Sequence, residues 1–184
     1  MDETYIKVKK EWMYLYRAVD TRGQTLEFLP RPTRDTEAAK RFFCKALHAT
    51  ADSTPQARLS EEQGALPTVP TVPTTTILAP RVINVDKNAA YPKAIADLKA
   101  AGVLPQHVEL RQVKYLNNLI EQDHRFIKRL VKPGLGFFSF ETAWKALQGY
   151  ESINMIRKGQ MHGVEKGNIP GQLSFIANLF GLVA

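Results

Sequence analysis

The chain opens on two strand-like runs, Thr4 to Val8 and Trp12 to Val19, separated by Lys9-Lys10-Glu11. Short β-branched and aromatic runs around a polar break predict a hairpin. Thr25 to Leu29 follows the turn at Thr21-Arg22-Gly23 and predicts a third strand, so the first thirty residues read as an antiparallel meander. The period then lengthens. Ala38, Ala39, Phe42, Phe43 and Ala46 recur at helical spacing from Thr36 to Leu47, with Asp35 or Thr36 as N-cap. Farther on, an apolar run at 81–86 reads as a strand and 90–100 as a helix stopped by Gly102. Residues 107–113 read as a short strand and 117–132 as a helix ended by Pro133-Gly134. A helix over 139–157 has Ser139 as N-cap, Glu141 in its first turn and apolar Ala143, Leu147, Tyr150 and Ile153. A last apolar helix covers 170–180. The fold class expected from this order is α/β, a mixed sheet of antiparallel meander and later strands flanked by helices.

Residues 49–80 break the pattern. They are rich in Pro, Thr, Ser and Ala and contain a doubled Thr-Val-Pro, too polar to pack and biased to extended backbone. They read as a linker or surface insertion.

Composition narrows the class. With 25 basic and 18 acidic residues the formal net charge is +7, which favours an anionic partner such as nucleic acid. No apolar run approaches the ~20 residues that span a bilayer, and no export leader is recognisable. Cys44, the only cysteine, rules out an internal disulfide and a cysteine-rich zinc site and reads as a small buried apolar residue. The four histidines lack metal-ligand spacing. A reduced, intracellular compartment is expected.

The chemistry centres on carboxylates. Asp86 sits at the tip of an apolar strand, where a charge is costly unless paired. It either caps a turn or holds a metal ion. In the helix over 117–132, Leu116, Leu119, Ile120, Ile127 and Leu130 form an apolar stripe, and Glu121, His124, Arg125 and Lys128 fall on a neighbouring polar face. That face is either a solvated surface or an acid for metal with bases for phosphate. Asp2 is either a charge at a frayed terminus or a third ligand. Lys128, Arg129, Lys132, Lys145, Arg157 and Lys158 form either a DNA-facing patch or a scattered surface. Trp12, Trp144 and the Phe137-Phe138 pair read as core rather than as base-stacking platforms.

The wording of five segments is more specific than this pattern. "DETYIKVK", "WMYLYRAVD", "RVINVDKNAAYPKAI", "RQVKYLNNLIEQDHRFIKR" and "GFFSFETAWKALQGYESINMIRKGQ" resemble the RNase H-like DDE transposases of the insertion-sequence-six group, over nearly everything except 49–80. The resemblance implies a catalytic, metal-binding triad of Asp2, Asp86 and Glu121, holding two Mg²⁺ ions (Mn²⁺ may replace them). It implies DNA or phosphate contact by Lys128, with Arg125, His124, Lys87, Asn88 and Lys114 as further contacts to DNA or to the groups around the metal. It implies an RNase H-like core over 1–135 carrying the 49–80 insertion, and a helical segment over 136–184 packing on it. The activity implied is metal-dependent cleavage and strand transfer in transposition. The partners are double-stranded DNA, as element ends and target, and further copies of the chain assembled on DNA. The setting is the nucleoid of a bacterial-type cytoplasm. The family's N-terminal helix-turn-helix is not expected here, because the sequence starts one residue before Asp2. The alternatives are a non-catalytic remnant that binds DNA or full-length subunits, and an RNase H-like nuclease outside transposition.

Overall fold

The structure is a computed structural model and describes residues 1–52, 79–113 and 117–182. Three strands, β1 (Asp2–Val8), β2 (Glu11–Val19) and β3 (Thr25–Arg31), form an antiparallel sheet in the order β1-β2-β3. Lys9 and Lys10 make the β1–β2 turn with φ of 50° and 69°, the double positive φ of the tight hairpin turn that matches strand twist. The register pairs Asp2 with Arg17 and Val8 with Glu11. β4 (Val82–Val85) and β5 (Glu109–Gln112) pair in parallel. The Met1 nitrogen donates to the Asn84 carbonyl oxygen at 2.7 Å, which sets the start of β1 beside β4.

Five helices cover the strands: α1 (Thr36–Asp52), α2 (Ala90–Ala100), α3 (Asn118–Val131), α4 (Phe140–Arg157) and α5 (Ile169–Leu179). The caps follow the chemistry of the residues. Asp35 Oδ1 accepts from the Ala38 amide at 2.7 Å, deciding the α1 N-cap in favour of Asp35, and Ser139 Oγ accepts from the Thr142 amide at 3.1 Å. The first helix runs into 49–52, which the composition assigned to the linker; alanine-rich Ala49-Thr50-Ala51-Asp52 extends the helix before the prolines begin. The rest of that stretch, 53–78, lies outside the described residues.

Because β2 is central and covered on both sides, its consecutive residues Leu15, Tyr16, Arg17 and Ala18 are all buried. Leu15 points into one core, with Ile6, Val8, Ile127, Ala143 and Leu147 beneath α3 and α4. Tyr16 points into the other, with Phe42, Phe43, Val85, Tyr91 and Leu98 beneath α1 and α2. This arrangement of mixed sheet and flanking helices is an RNase H-like α/β fold.

Several side chains depart from the expected core. Trp12 is 65% exposed and Phe138 91% exposed. Trp12 lies next to the hairpin tip, its ring edge-on to Tyr5 and under the Lys7 ammonium. Trp144 is half-buried, 5.6 Å from the Phe28 ring. Phe137 is half-buried, packs against the core beneath α3 and α4, and also pairs through its backbone. Its amide donates to Lys7 O and its carbonyl accepts from Lys9 N, both at 2.8 Å, so the α3–α4 connection covers the free edge of β1. Gly136 makes this approach possible. Its φ is +117°, and a Cβ would meet the Lys7 carbonyl oxygen at 2.8 Å. Gly136→Ala is expected to cost about 1–3 kcal/mol, seen as a lower urea midpoint and faster amide exchange at Phe137 and Lys9.

Candidate metal centre

Asp2 begins β1 and Asp86 follows β4, so the contact between the two sheets brings their carboxylates together. Carboxylate oxygens of Asp2, Glu3 and Asp86 lie within 4.8 Å of one another, each residue partly or nearly wholly out of solvent. Burial, with the neighbouring Glu3 and Asp86 charges adding to it, pushes the Asp2 carboxyl up to about 6. A cation held between these carboxylates would offset their mutual repulsion.

The three acids are not equivalent. Asp86 Oδ1 accepts from the Asn88 amide at 3.0 Å, closing a turn, and Oδ2 accepts from Arg34 Nη2 at 2.9 Å. Asp86 therefore does cap a turn, and its second oxygen still faces the cluster. Glu3 is more deeply held. It accepts from Arg34 Nε and Tyr91 Oη through short contacts and from Asn88 Nδ2 at 3.3 Å. Burial first, then the Glu3 carboxylate, push the Tyr91 hydroxyl far above its ordinary range, so it remains a donor. Asp2 faces α3, with its Oδ2 3.9 Å from His124 Nδ1.

His124 is buried, which separates it from the exposed face it was expected to share with Glu121, Arg125 and Lys128. Burial, then the Arg17 and Lys128 charges, drive its pKa down to about 3, so the ring against Asp2 is neutral. Of the two contacts expected of His124, to DNA or to the groups around the metal, its burial beside Asp2 favours the second. The apolar stripe is also narrower than expected: Ile120 and Ile127 are buried, while Leu119 and Leu130 are substantially exposed. Glu121 is exposed in the first turn of α3 and stands outside the three-carboxylate group. Successive residues turn about 100° around a helix, so Glu121 lies just under one turn before His124 and some 60° round from it.

The other candidate contacts divide. Lys87 is exposed beside Asp86, and Asn88 is absorbed into the carboxylate network. Lys114 and Leu116 lie outside the described residues. Of the proposed basic patch, Lys158 is held internally by Asp123 at 2.7 Å, while Lys145 pairs with Glu141 at 2.7 Å on the exposed face of α4. Arg129 and Arg157 join Arg125, Gln122, Phe126 and Asn154 around a cleft of about 300 Å³, with the Arg157 guanidinium 4.9 Å from the Phe126 ring centre.

Sequence reasoning missed Glu3, Arg34 and Tyr91. Glu3 adjoins Asp2 but period-two alternation sends it to the other face of β1, and Arg34 lies in a loop with no pattern to mark it.

Comparison with known proteins fits this geometry. Residues 1–67 and 73–160 match the family described as a DDE domain, of the IS240 transposase type, and all three candidate acids fall inside the match. The chain belongs to the DDE transposase family, in the insertion-sequence-six group. Over 160 residues it is 34% identical to the transposase for insertion sequence-like element IS431mec and to the transposase for insertion sequence element IS257 in transposon Tn4003, both of Staphylococcus aureus. That stretch is 86% of this chain and 57% of each relative, so the chain spans little more than half the length of these DDE transposases. It is also 30% identical over 102 residues to the uncharacterized protein pYV0051 of Yersinia pseudotuberculosis, covering 55% of this chain and 73% of that protein. No solved structure matches. No helix among the described residues is long and apolar enough to cross a membrane.

Proposed function

We propose that this chain is the catalytic domain of an insertion-sequence transposase, cleaving DNA strands and joining the freed 3′ end to a target. The observation that carries the reading is the meeting of the Asp2 and Asp86 carboxylates, from two different sheets, in a DDE domain. The donor set suits Mg²⁺ or Mn²⁺, which take carboxylate oxygens and keep positions for water and phosphate. Asp2 and Asp86 would hold the ions together with Glu121, the third acid that the family resemblance implies. When bound, such ions activate a water or a 3′ hydroxyl and offset charge on the departing oxygen.

The protein's own groups do the rest. Neutral His124 packs beside Asp2 without competing as a cation. Lys128 and Arg125 follow Glu121 on the exposed side of α3, where a DNA backbone reaching the carboxylates meets positive charge. Arg125, Arg129 and Arg157 continue that charge into the cleft. DNA ends and target, a homo-oligomer assembled on them, and a nucleoid setting complete the proposal. The division into a core over 1–135 and a packed helical segment over 136–184 belongs to it as well.

Nicking of supercoiled plasmid in Mn²⁺ tests the reading. Wild-type chain is expected to nick, and Glu121→Gln to lose at least about a hundredfold in rate, on the scale of a lost electrostatic catalytic group, with an unchanged melting midpoint because Glu121 is exposed. Retained nicking removes Glu121 from the ligand set. Nicking absent from a wild type that still binds metal favours the second reading, a non-catalytic DNA-binding relative, to which the position of Glu121 outside the carboxylate group points.

A further inference from the structure

Glu3 presents a difficulty for a simple three-acid metal site. One of its oxygens lies within 4.8 Å of an oxygen of both Asp2 and Asp86, yet its carboxylate already accepts from Arg34, Tyr91 and Asn88. Its side chain is 2% exposed, against 32% for Asp86. The donors come from three places in the chain: the β3–α1 loop, the β4–α2 turn and α2 itself. A carboxylate enclosed in this way turns to a cation only by weakening its bond to the buried Tyr91 hydroxyl or to Arg34, a cost that the more open Asp86 does not meet.

Charge points the same way. Three carboxylates carry three negative charges, and Arg34 carries one positive charge. Glu3 and Arg34 neutralise each other, which leaves Asp2 and Asp86 with the two charges that a divalent cation matches. Arg34 joins the two parts: Nε pairs with the buried Glu3 while Nη2 reaches Asp86 Oδ2 at 2.9 Å, the guanidinium being 32% exposed.

Resting on the metal-site reading above, we propose that Glu3 is not a metal ligand but the anchor of Arg34, and that Arg34 is a built-in counter-ion that hands Asp86 over when a divalent cation arrives. In the metal-free protein Arg34 occupies Asp86 Oδ2 and limits repulsion between the carboxylates. When Asp86 takes the cation, Arg34 gives up Nη2–Oδ2 and keeps Nε–Glu3. Glu3 and Arg34 are positioning residues, and Tyr91 and Asn88 hold Glu3 in place.

The test is calorimetric titration of Mn²⁺ into the full chain, with circular dichroism melts confirming that each variant folds. Arg34→Gln removes the competitor and is expected to tighten Mn²⁺ binding about fivefold, the scale of a partly exposed ion pair. Glu3→Gln keeps one carbonyl acceptor but removes the charge that anchors Arg34, leaving Arg34 to pair with Asp86 alone, and is expected to weaken binding about tenfold, as loss of a group behind a ligand does. The double variant Glu3→Gln/Arg34→Gln is expected to recover wild-type affinity or better. That recovery separates an anchor from a ligand. If the double variant stays as weak as Glu3→Gln, Glu3 is a ligand and the inference is wrong; weaker binding in Arg34→Gln also overturns it. Lys87→Gln measures the general effect of losing a nearby cation, and an equal tightening there defeats the specific role of Arg34. Metal binding in wild type that Asp86→Asn abolishes keeps the proposed function standing when this inference fails. No binding in either wild type or Arg34→Gln defeats both.

Discussion

Asp86→Asn is expected to erase the stabilisation that Mn²⁺ or Mg²⁺ gives the wild-type chain. A ligand that binds only the folded state adds about 2.7 kcal/mol at a hundredfold excess over its Kd. For a chain of this length that raises the melting midpoint by about 5–10 °C, taking about 2–4 °C per kcal/mol. Asp86 is half-exposed and its amide replacement still accepts from the Asn88 nitrogen, so the variant keeps its turn and folds. What it loses is the second of the two charges that meet at the sheet junction. Asp97→Asn, an acid paired with Lys40 at 3.5 Å on the outer helices, is the control and is expected to keep the full metal shift.

The same experiment has a pH signature. Asp2 has a folded pKa raised to about 6 from an ordinary 3.8, so its ionised form is disfavoured by the metal-free fold. The sign is that of a penalty: fully present above about 6, relieved as pH falls through 6 toward 3.8. A cation must displace the proton from Asp2 below that value. The metal-dependent rise in midpoint is therefore expected to be largest above pH 7 and to shrink as pH falls from 6 to 5. A rise independent of pH over that range would place the cation away from Asp2.

The second large effect is expected from Glu151→Ala, which should cost about 3–5 kcal/mol, the range for removing one partner of a buried ion pair. Arg17 is fully buried on β2. Its Nε and Nη2 donate to the two Glu151 oxygens at 2.6 and 2.9 Å, and Nη2 also reaches Asp123 Oδ2 at 2.6 Å. Asp123 receives Lys158 at 2.7 Å and Asn154 Nδ2 at 3.3 Å. Burial alone would raise the Asp123 carboxyl, but the Arg17 and Lys158 charges outweigh it and hold it below the ordinary carboxylate range. Truncating Glu151 leaves the guanidinium in the core with only Asp123 to offset it. Arg17→Met/Glu151→Leu removes both charges together and is expected to recover most of the loss, since apolar replacements of similar volume often match a buried pair. Urea unfolding measures both. A loss under 1 kcal/mol for Glu151→Ala would show that water reaches Arg17. The network also ties α3, bearing Glu121 and His124, to the strand beside Asp2, so Glu151→Ala should weaken Mn²⁺ binding as well.

The sequence by itself determined the order of elements. Hairpin, meander, capped helices and both isolated strands were legible because each depends on local period, cap residues and turn residues, and the boundaries moved by only a few residues at most ends. The DDE resemblance was legible too, since five segments of wording carry far more information than the spacing of acids. Residues whose surroundings come from other elements were not legible. His124 reads as one of several polar residues on a helix face, and only the approach of β1 to α3 buries it. Trp12 and Phe138 read as core because they are large and apolar, yet no element covers them. Nothing in the local pattern marks Arg17, Glu151 or Glu3, because a buried ion is stable only with a partner distant in the chain, and periodicity carries no record of that partner. The tertiary structure alone decided which acids share a site, by joining the start of β1 to β4, and it alone showed Arg34 standing between two of them. Local sequence specifies helices and strands through short-range sterics and hydrogen bonds; the pairing of charges depends on which elements are packed together.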